Sequence, residues 1–354
     1  MSSTPLASSI LRDLRRSWPG LLISLVCLVA VFSIADFGKL RDSLAHANYG
    51  YLPLALTVFL AAFVTRAFAW RTLLKEQATP VQTFFALNEG YLLNNLLPFR
   101  LGEIGRGFLL SRTAKIGFLQ VMSSILIERV FDMAIVVSIL LMSMTFVVGA
   151  SDWARPAALS MAVVLLAALV FLHLVVRNRE RSLRWFERLR GRIPLLRRVS
   201  GEQIDAFFEG LSALTDLRRF SVVVGLLAIT WGLVVWHYYL ILLAFVPEAG
   251  FSWAAFGLGV VGLGVAIPAA PGSIGVVQGV IVGVFPPLFG VDPAIALAYS
   301  ITVHAIYLVL TSSIGLIGLV RDGRSLGAVY EDVRAWVSRS TPGGETAAGE
   351  GVDP

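Results

Sequence analysis

Cysteine occurs once in this 354-residue chain, as Cys27. A lone thiol closes no internal disulfide and builds no metal cluster. The four histidines are scattered without ligand spacing, so neither a metal nor any other cofactor is expected. No phosphate loop, nucleophile elbow, zinc pattern or dinucleotide fingerprint is present, and no residue is assigned a catalytic role. Charge is scarce as well. Charged residues make up 15% of the chain, against roughly 25% in a soluble domain. Basic residues sit beside apolar runs rather than in a nucleic-acid motif, which argues against nucleic acid as a partner.

What the chain has instead is apolar sequence. Hydrophobic residues reach 56% and the mean hydropathy is +0.78. Long apolar runs fall at about 18–35, 51–74, 119–148, 157–176, 220–246 and 294–320. Each is long enough to span a bilayer. The first follows Arg12, Arg15 and Arg16 and is long for a signal-peptide core, so it reads as a retained span. Two further regions, 82–112 and 252–287, are apolar but broken by Pro and Gly. Both read as re-entrant pairs of short helices.

The arginine distribution tests this layout, because basic loops stay in the cytoplasm. With the N-terminus (1–17) inside, the cluster Arg177 to Arg198 and the tail from Arg321 also fall inside only if both broken regions enter and leave on one side. The expectation is an all-α polytopic membrane protein, with six full spans and two re-entrant pairs. The first membrane repeat covers 18–148, and a short outer loop with the fourth span covers 149–176. A basic amphipathic cytoplasmic segment covers 177–219, the rest of the second repeat 220–320, and a partly disordered cytoplasmic tail 321–354. Each half crosses an odd number of times, so the second is inverted relative to the first, as in many transporters. Multi-pass insertion in the cell inner membrane, with both termini cytoplasmic, follows.

The two broken regions share a motif. Pro98-x-x-x-Gly102-x-Ile104-Gly105 aligns with Pro268-x-x-x-Gly272-x-Ile274-Gly275. Pro and Gly interrupt helices, and opened backbone at membrane depth belongs beside protein or a wet cavity. The first tip carries Arg100, Glu103 and Arg106. Arg100 sits where the chain turns. The arm beginning near Gly102 aims its unpaired amides at the tip, a ready anion site, and arginine adds a forked donor suited to phosphate. Snorkelling of these charges to the interface is the plainer alternative. The second tip is uncharged: Gly272, Ser273 and Gly275 form a backbone-rich turn, Ser273 is placed to cap the next arm, and Gln278 lies one turn further on. Small-residue packing would also account for it.

The third run carries Glu128, Arg129 and Asp132. Ionisable groups inside a span mark function by default. Arg129 and Asp132 are spaced to pair, and Glu128 shares a face with Asp132, giving either a proton-linked gate or a structural polar cluster. Asn94 and Asn95, with Asn88 and Glu89, lie in the arm entering the first tip, suited to satisfying opened backbone or lining a cavity. His237 and His304 each fall inside a span and read as structural hydrogen-bonders.

At these motifs the sequence resembles a known family. NNLLPFRLGEIGRGFLL at 94–110, ERVFD at 128–132 and PAAPGSIGVVQG at 268–279 resemble the lysylphosphatidylglycerol synthase transmembrane-region family of flippase-like membrane proteins. The resemblance covers roughly 15–322. Pro98, Arg100, Gly102, Glu103 and Arg106 all match the family pattern, whereas Gln278 stands where that pattern carries Glu. The resemblance implies movement of a polar or anionic lipid between leaflets. Some members carry an aminoacyl-transferase domain after the membrane region, and this chain is not expected to aminoacylate lipid itself.

The functional expectation is therefore a lipid translocase. Its partner is a phospholipid or polyprenyl-phosphate lipid whose anionic headgroup is met at the cytoplasmic face, and a second copy of the chain forming a homodimer is a further candidate partner. The rivals are an enzyme that modifies lipid headgroups through Glu128 or Asp132, a scaffold recruiting a glycosyltransferase or lipid synthase through 177–219, and an ion-coupled solute transporter.

Overall fold

A computed structural model describes residues 18–97, 101–147, 216–265 and 270–332, with isolated positions between 163 and 188. Among the described residues the chain is helical and contains no strand. The helices are α1 (Trp18–Ile34), α2 (Phe37–His46), α3 (Leu52–Leu73), α4 (Pro80–Leu96), α5 (Leu101–Ala114), α6 (Phe118–Val147), α7 (Leu217–Phe245), α8 (Phe251–Val265), α9 (Val276–Phe289) and α10 (Pro293–Arg321). Short 3-10 turns at Tyr49–Tyr51 and Pro271–Ser273 precede α3 and α9.

Local chemistry sets these boundaries. Asp36 caps α2 by accepting from the Gly38 and Lys39 amides. Thr79 and Gln82 form a capping box around Pro80 at the start of α4, so two otherwise unpaired amides are satisfied at once. Asp216 caps α7 through the Arg218 and Arg219 amides, and Asp292 caps α10 ahead of Pro293. α9 stops at Gly290, whose φ of 67° is the left-handed turn that glycine takes without strain.

Five helices are long and apolar enough to cross a membrane: Tyr49–Leu73, Phe118–Val147, Leu217–Phe245, Pro271–Phe289 and Pro293–Arg321. A sixth arises if Leu21–Ile34 and Phe37–His46, bent by 89°, count as one. Four expected spans thus recur almost as read. The first run differs: after Ile34 the chain turns through a right angle, because the Asp36 cap starts a new helix. The second arm of the broken region 252–287 is also apolar and long enough to count as a span. Leu217, Arg218 and Arg219 form the first turn of α7. Nearly all of the expected fourth span at 157–176 and of 177–215 lies outside the described residues.

Both broken regions are antiparallel hairpins. In α4–α5 the side chain of Asn94 meets the Gly102 amide, Gly90 faces Arg106, and Gln82 reaches the Thr113 carbonyl. In α8–α9, Gly264 faces Val280, Gly257 faces Phe285, and Trp253 stacks on Phe289 at 4.4 Å. Close approach demands glycine here. A Cβ on Gly102 would run into the Gly90 carbonyl oxygen.

The packing between elements recurs in pairs. α3 lies antiparallel along α7, tied by the Thr65–Thr230 hydroxyls at 2.8 Å and by Phe59 stacked on His237 at 4.2 Å. α10 packs on α4 through Gly315 and Gly318, and α6 packs on α8 against Gly259 and Gly262. α3 contacts α4 as α7 contacts α8, and α5 contacts α6 as α9 contacts α10. The largest apolar core lies between α3, α7, α8, α9 and α10, and a second joins α3, α4, α5, α6 and the start of α7.

Candidate functional site

The ionisable triplet of α6 lies within the bundle. Glu128 is fully buried and Asp132 is 6% exposed, so each needs a counter-charge. Arg66, midway along α3, supplies one. Its Nη2 donates to Glu128 Oε1 and to Asp132 Oδ2. Arg106 of α5 places Nη1 at 3.1 Å from Glu128 Oε2 and Nη2 at 2.9 Å from Glu103 Oε2. Arg129 closes the circuit, with Nη2 at 3.2 Å from Glu103 Oε1 and Nη1 at 3.4 Å from Asp132 Oδ2. The indole of Trp231 on α7 donates to Asp132 Oδ1 at 2.9 Å. The Arg106 guanidinium lies over the Trp70 ring at 4.8 Å, and Trp70 donates to the Ser124 hydroxyl.

Three guanidiniums and three carboxylates from α3, α5 and α6 thus cancel, which lets so much charge persist among apolar helices. The cluster is not uniformly closed. The side chains of Arg66, Arg106, Glu128 and Asp132 are at most 8% exposed, whereas Glu103 is 22% and Arg129 34% exposed. One carboxylate and one guanidinium therefore form an accessible edge on a buried ionic floor. The i, i+3 pairing of Arg129 with Asp132 is present as its spacing predicts, and Glu103 pairs with Arg106 and also with Arg129. Arg100 and Pro98 lie outside the described residues.

The asparagines before the first tip satisfy broken backbone. Asn94 Oδ1 accepts from the Gly102 amide at 2.8 Å, so it caps α5 from across the hairpin. Asn95 donates to the hydroxyls of Thr311 and Ser312 on α10, both at 3.0 Å. The second tip arrives at the same place. A Cβ on Gly272 would lie 3.6 Å from the Asn95 carbonyl oxygen and 3.1 Å from Leu308. The ends of the two hairpins meet beside α10.

The second tip is held by side chains that point inward. The Gly275 amide donates to Gln278 Oε1 at 2.8 Å, Gln278 Nε2 lies 3.1 Å from His304 Nδ1, and His304 Nε2 lies 2.9 Å from the Gly272 carbonyl. An amide nitrogen only donates and a carbonyl only accepts. His304 is therefore neutral, with its proton on Nε2 and directed at Gly272. Gln278, 7% exposed, caps its own helix. Ser273 does not cap α9. Its φ of 56° belongs to the turn, its amide donates to the Ala270 carbonyl, and the cap position falls to Gly275. Gly275, at φ 91°, also lies so close to α1 that a Cβ would stand 2.5 Å from the Ser24 carbonyl. His237 is buried against Ala55 and Phe59, as a structural hydrogen-bonder.

Sequence reasoning missed Arg66, Trp70 and Trp231. The rule that singled out Glu128, an ionisable group in the middle of an apolar run, would have found Arg66 in 51–74. The two indole donors carry no such signal, since an apolar helix uses tryptophan without polar purpose as well.

The fold and cluster define a polytopic helical membrane protein with two helical hairpins and a buried ionic centre between α3, α5 and α6. Residues 17–315 match the family model described as the lysylphosphatidylglycerol synthase TM region, and the chain belongs to that family. It is similar to a UPF0104 membrane protein of Methanothermobacter thermautotrophicus (strain Delta H). The two are 21% identical over 327 residues, covering 89% of this chain and 95% of that protein.

Proposed function

We propose that this protein moves a lipid with an anionic or polar headgroup between membrane leaflets. The accessible edge of the ionic cluster carries the proposal. Arg129 and Glu103 face outward, while Arg66, Arg106, Glu128 and Asp132 hold them from behind. A headgroup phosphate meets Arg129 beside Glu103, with Arg106 buried behind them, and the sequence adds Arg100 to the charges of the first tip. Gly102, Gly272, Ser273, Gly275 and Gln278 belong to the two tips beside which the headgroup passes, while Asn94 holds the first tip closed and Asn95 ties it to α10. Glu128, Arg129 and Asp132 tie α6 to α3 and α5, so that the edge is held in one geometry.

The matched packings of the two halves support reading the chain as an inverted repeat, with both hairpins re-entrant. α4 and α5, of 17 and 14 residues, rise about 1.5 Å per residue and fall short of a hydrocarbon core of about 30 Å. In this reading the termini and the Arg177–Arg198 cluster face the cytoplasm of a cell inner membrane. The lipid tails stay in the bilayer while the headgroup passes between the halves.

Reconstitution tests it. Purified protein in liposomes should accelerate exchange of a fluorescent phospholipid or polyprenyl phosphate between leaflets, and Arg129→Gln and Arg100→Ala should each slow it. Equal rates in wild type and both variants would remove the named site. No acceleration of any lipid by wild type would remove the function.

A further inference from the structure

A second buried acid stands apart from the ionic cluster. Glu89, midway along α4, is 1% exposed. Its Oε1 has no hydrogen-bond partner, and none of the ion pairs among the described residues includes it. It lies in the contact between α4 and α10. A Cβ on Gly318 would stand 2.7 Å from Glu89 Oε1, so the carboxyl occupies the space left by a missing side chain. The buried Asn88 Oδ1 beside it also lacks a partner.

The charges that face Glu89 are few. From α10 and the turn after it come Arg321, Asp322 and Arg324. The Arg321 guanidinium lies over the Phe85 ring at 4.9 Å, one turn before Glu89. On α5, Arg106 is turned toward Glu103 and Glu128 and Arg112 pairs with Asp332, while on α3 Arg66 is turned to the ionic cluster. Tyr330 is buried in the neighbouring apolar cluster with Leu92, Leu93 and Leu319. An ionised Glu89 brings an unpaired charge to a glycine-tight helix contact, and a bound proton removes it. Intramembrane acids with this standing are the groups that carry protons in pumps and transporters.

We propose that Glu89 is a proton-binding site that controls the α4–α10 contact: as the acid it lets α10 close on α4 over Gly318, and as the carboxylate it opens the contact toward water and toward Arg321 and Arg324. Because α4 is also the first arm of the hairpin that ends at Asn94 and Asn95, protonation is felt at the meeting point of the two tips. Coupling to lipid movement rests on the translocase reading, whereas the proton switch itself does not.

The test uses the purified full-length chain. Hydrogen exchange, corrected for its intrinsic pH dependence, should show α4 and the C-terminal half of α10 losing protection as pH rises. Glu89→Gln, a neutral isostere, should hold protection constant. Glu89→Asp, which keeps an acid but draws it back from Gly318, should keep the response with a moved midpoint. Infrared difference spectra should contain a protonated-carboxyl band that Glu89→Gln removes. In liposomes the wild-type rate should vary with pH, by at most about tenfold per pH unit for a single proton, and that of Glu89→Gln should not. Protection with the same pH dependence in wild type and Glu89→Gln overturns the proposal, as does a response reproduced by sodium at fixed pH. A pH response abolished by Glu89→Gln in a protein that moves no lipid upholds the proton site and sinks the translocase reading alone.

Discussion

Arg66 holds two buried carboxylates from one guanidinium nitrogen, and its removal tests how the ionic cluster is held. In Arg66→Met the side chain keeps its volume class and loses its charge. Glu128 retains Arg106 at 3.1 Å, and Asp132 retains the Trp231 indole at 2.9 Å and Arg129 at 3.4 Å. Two charge-assisted hydrogen bonds disappear, at about 1.5–3 kcal/mol each. Breaking a buried pair costs about 3–5 kcal/mol, because the orphaned charge stays desolvated. The surviving partners place the expected loss near the lower end, about 3 kcal/mol. The control is Arg112→Ala. It breaks an ion pair with Asp332 whose side chains are 53% and 39% exposed, worth less than about 1 kcal/mol. Adding Asp132→Asn to Arg66→Met removes one orphaned charge, and the double variant should regain about 1–3 kcal/mol of coupling. The assay is denaturant unfolding in micelles, followed by far-ultraviolet circular dichroism. If Arg66→Met costs no more than Arg112→Ala, the cluster is not held by Arg66 and the counter-charge argument fails.

Other perturbations reach the hairpins. Asn94→Ala removes the cap on α5 and should cost about 1 kcal/mol, read as loss of hydrogen-exchange protection at the start of α5. Gly102→Ala drives a methyl group into the Gly90 carbonyl and the Asn94 amide and should cost about 1–3 kcal/mol by overpacking, with lipid exchange slowed in liposomes. Gln278→Glu keeps the acceptor for Gly275 but sets a second oxygen against His304 Nδ1, two acceptors that need a proton between them. Its stability relative to wild type should therefore fall as pH rises, measured by unfolding across a pH series. At the edge of α10, the Lys39 ammonium hydrogen-bonds Asp292 at 2.8 Å and holds its carboxyl below the usual range. The stability this adds is present above the ordinary carboxylate value and lost as pH falls through the folded one. Asp292→Asn should remove that acid-side loss, seen in the same series.

The parts legible in the sequence are those whose physics is local. Pro98 to Gly105 and Pro268 to Gly275 mark chain reversals because proline and glycine act on their own backbone, and the hairpins lie where those residues fall. The Arg129–Asp132 pair follows from helical spacing, and an asparagine before a break predicts its cap. The 89° turn after Ile34 was also locally encoded: Asp36 before Phe37 and Gly38 is an N-cap signal hidden inside an apolar run. Ser273 misled because it is a good capping residue in a turn whose left-handed backbone aims it elsewhere.

What stayed hidden depends on contacts between distant segments. Arg66 and Asp132 are 66 residues apart, and Trp231 lies a further 99 along the chain. The sequence supplies each charge without its partner. The same logic separates the two acids of the first repeat. Glu128 and Glu89 look alike in sequence, each a carboxylate in an apolar helix. In the fold Glu128 is met by three arginines and is fixed as a charge, while Glu89 is met by a glycine. The first is therefore suited to holding an architecture together and the second to changing its state. That division explains why a chain so poor in charge keeps both. Glu128 sits in a paired ionic centre of no net charge, whereas Glu89 Oε1 is buried without a hydrogen-bond partner at a glycine-tight contact.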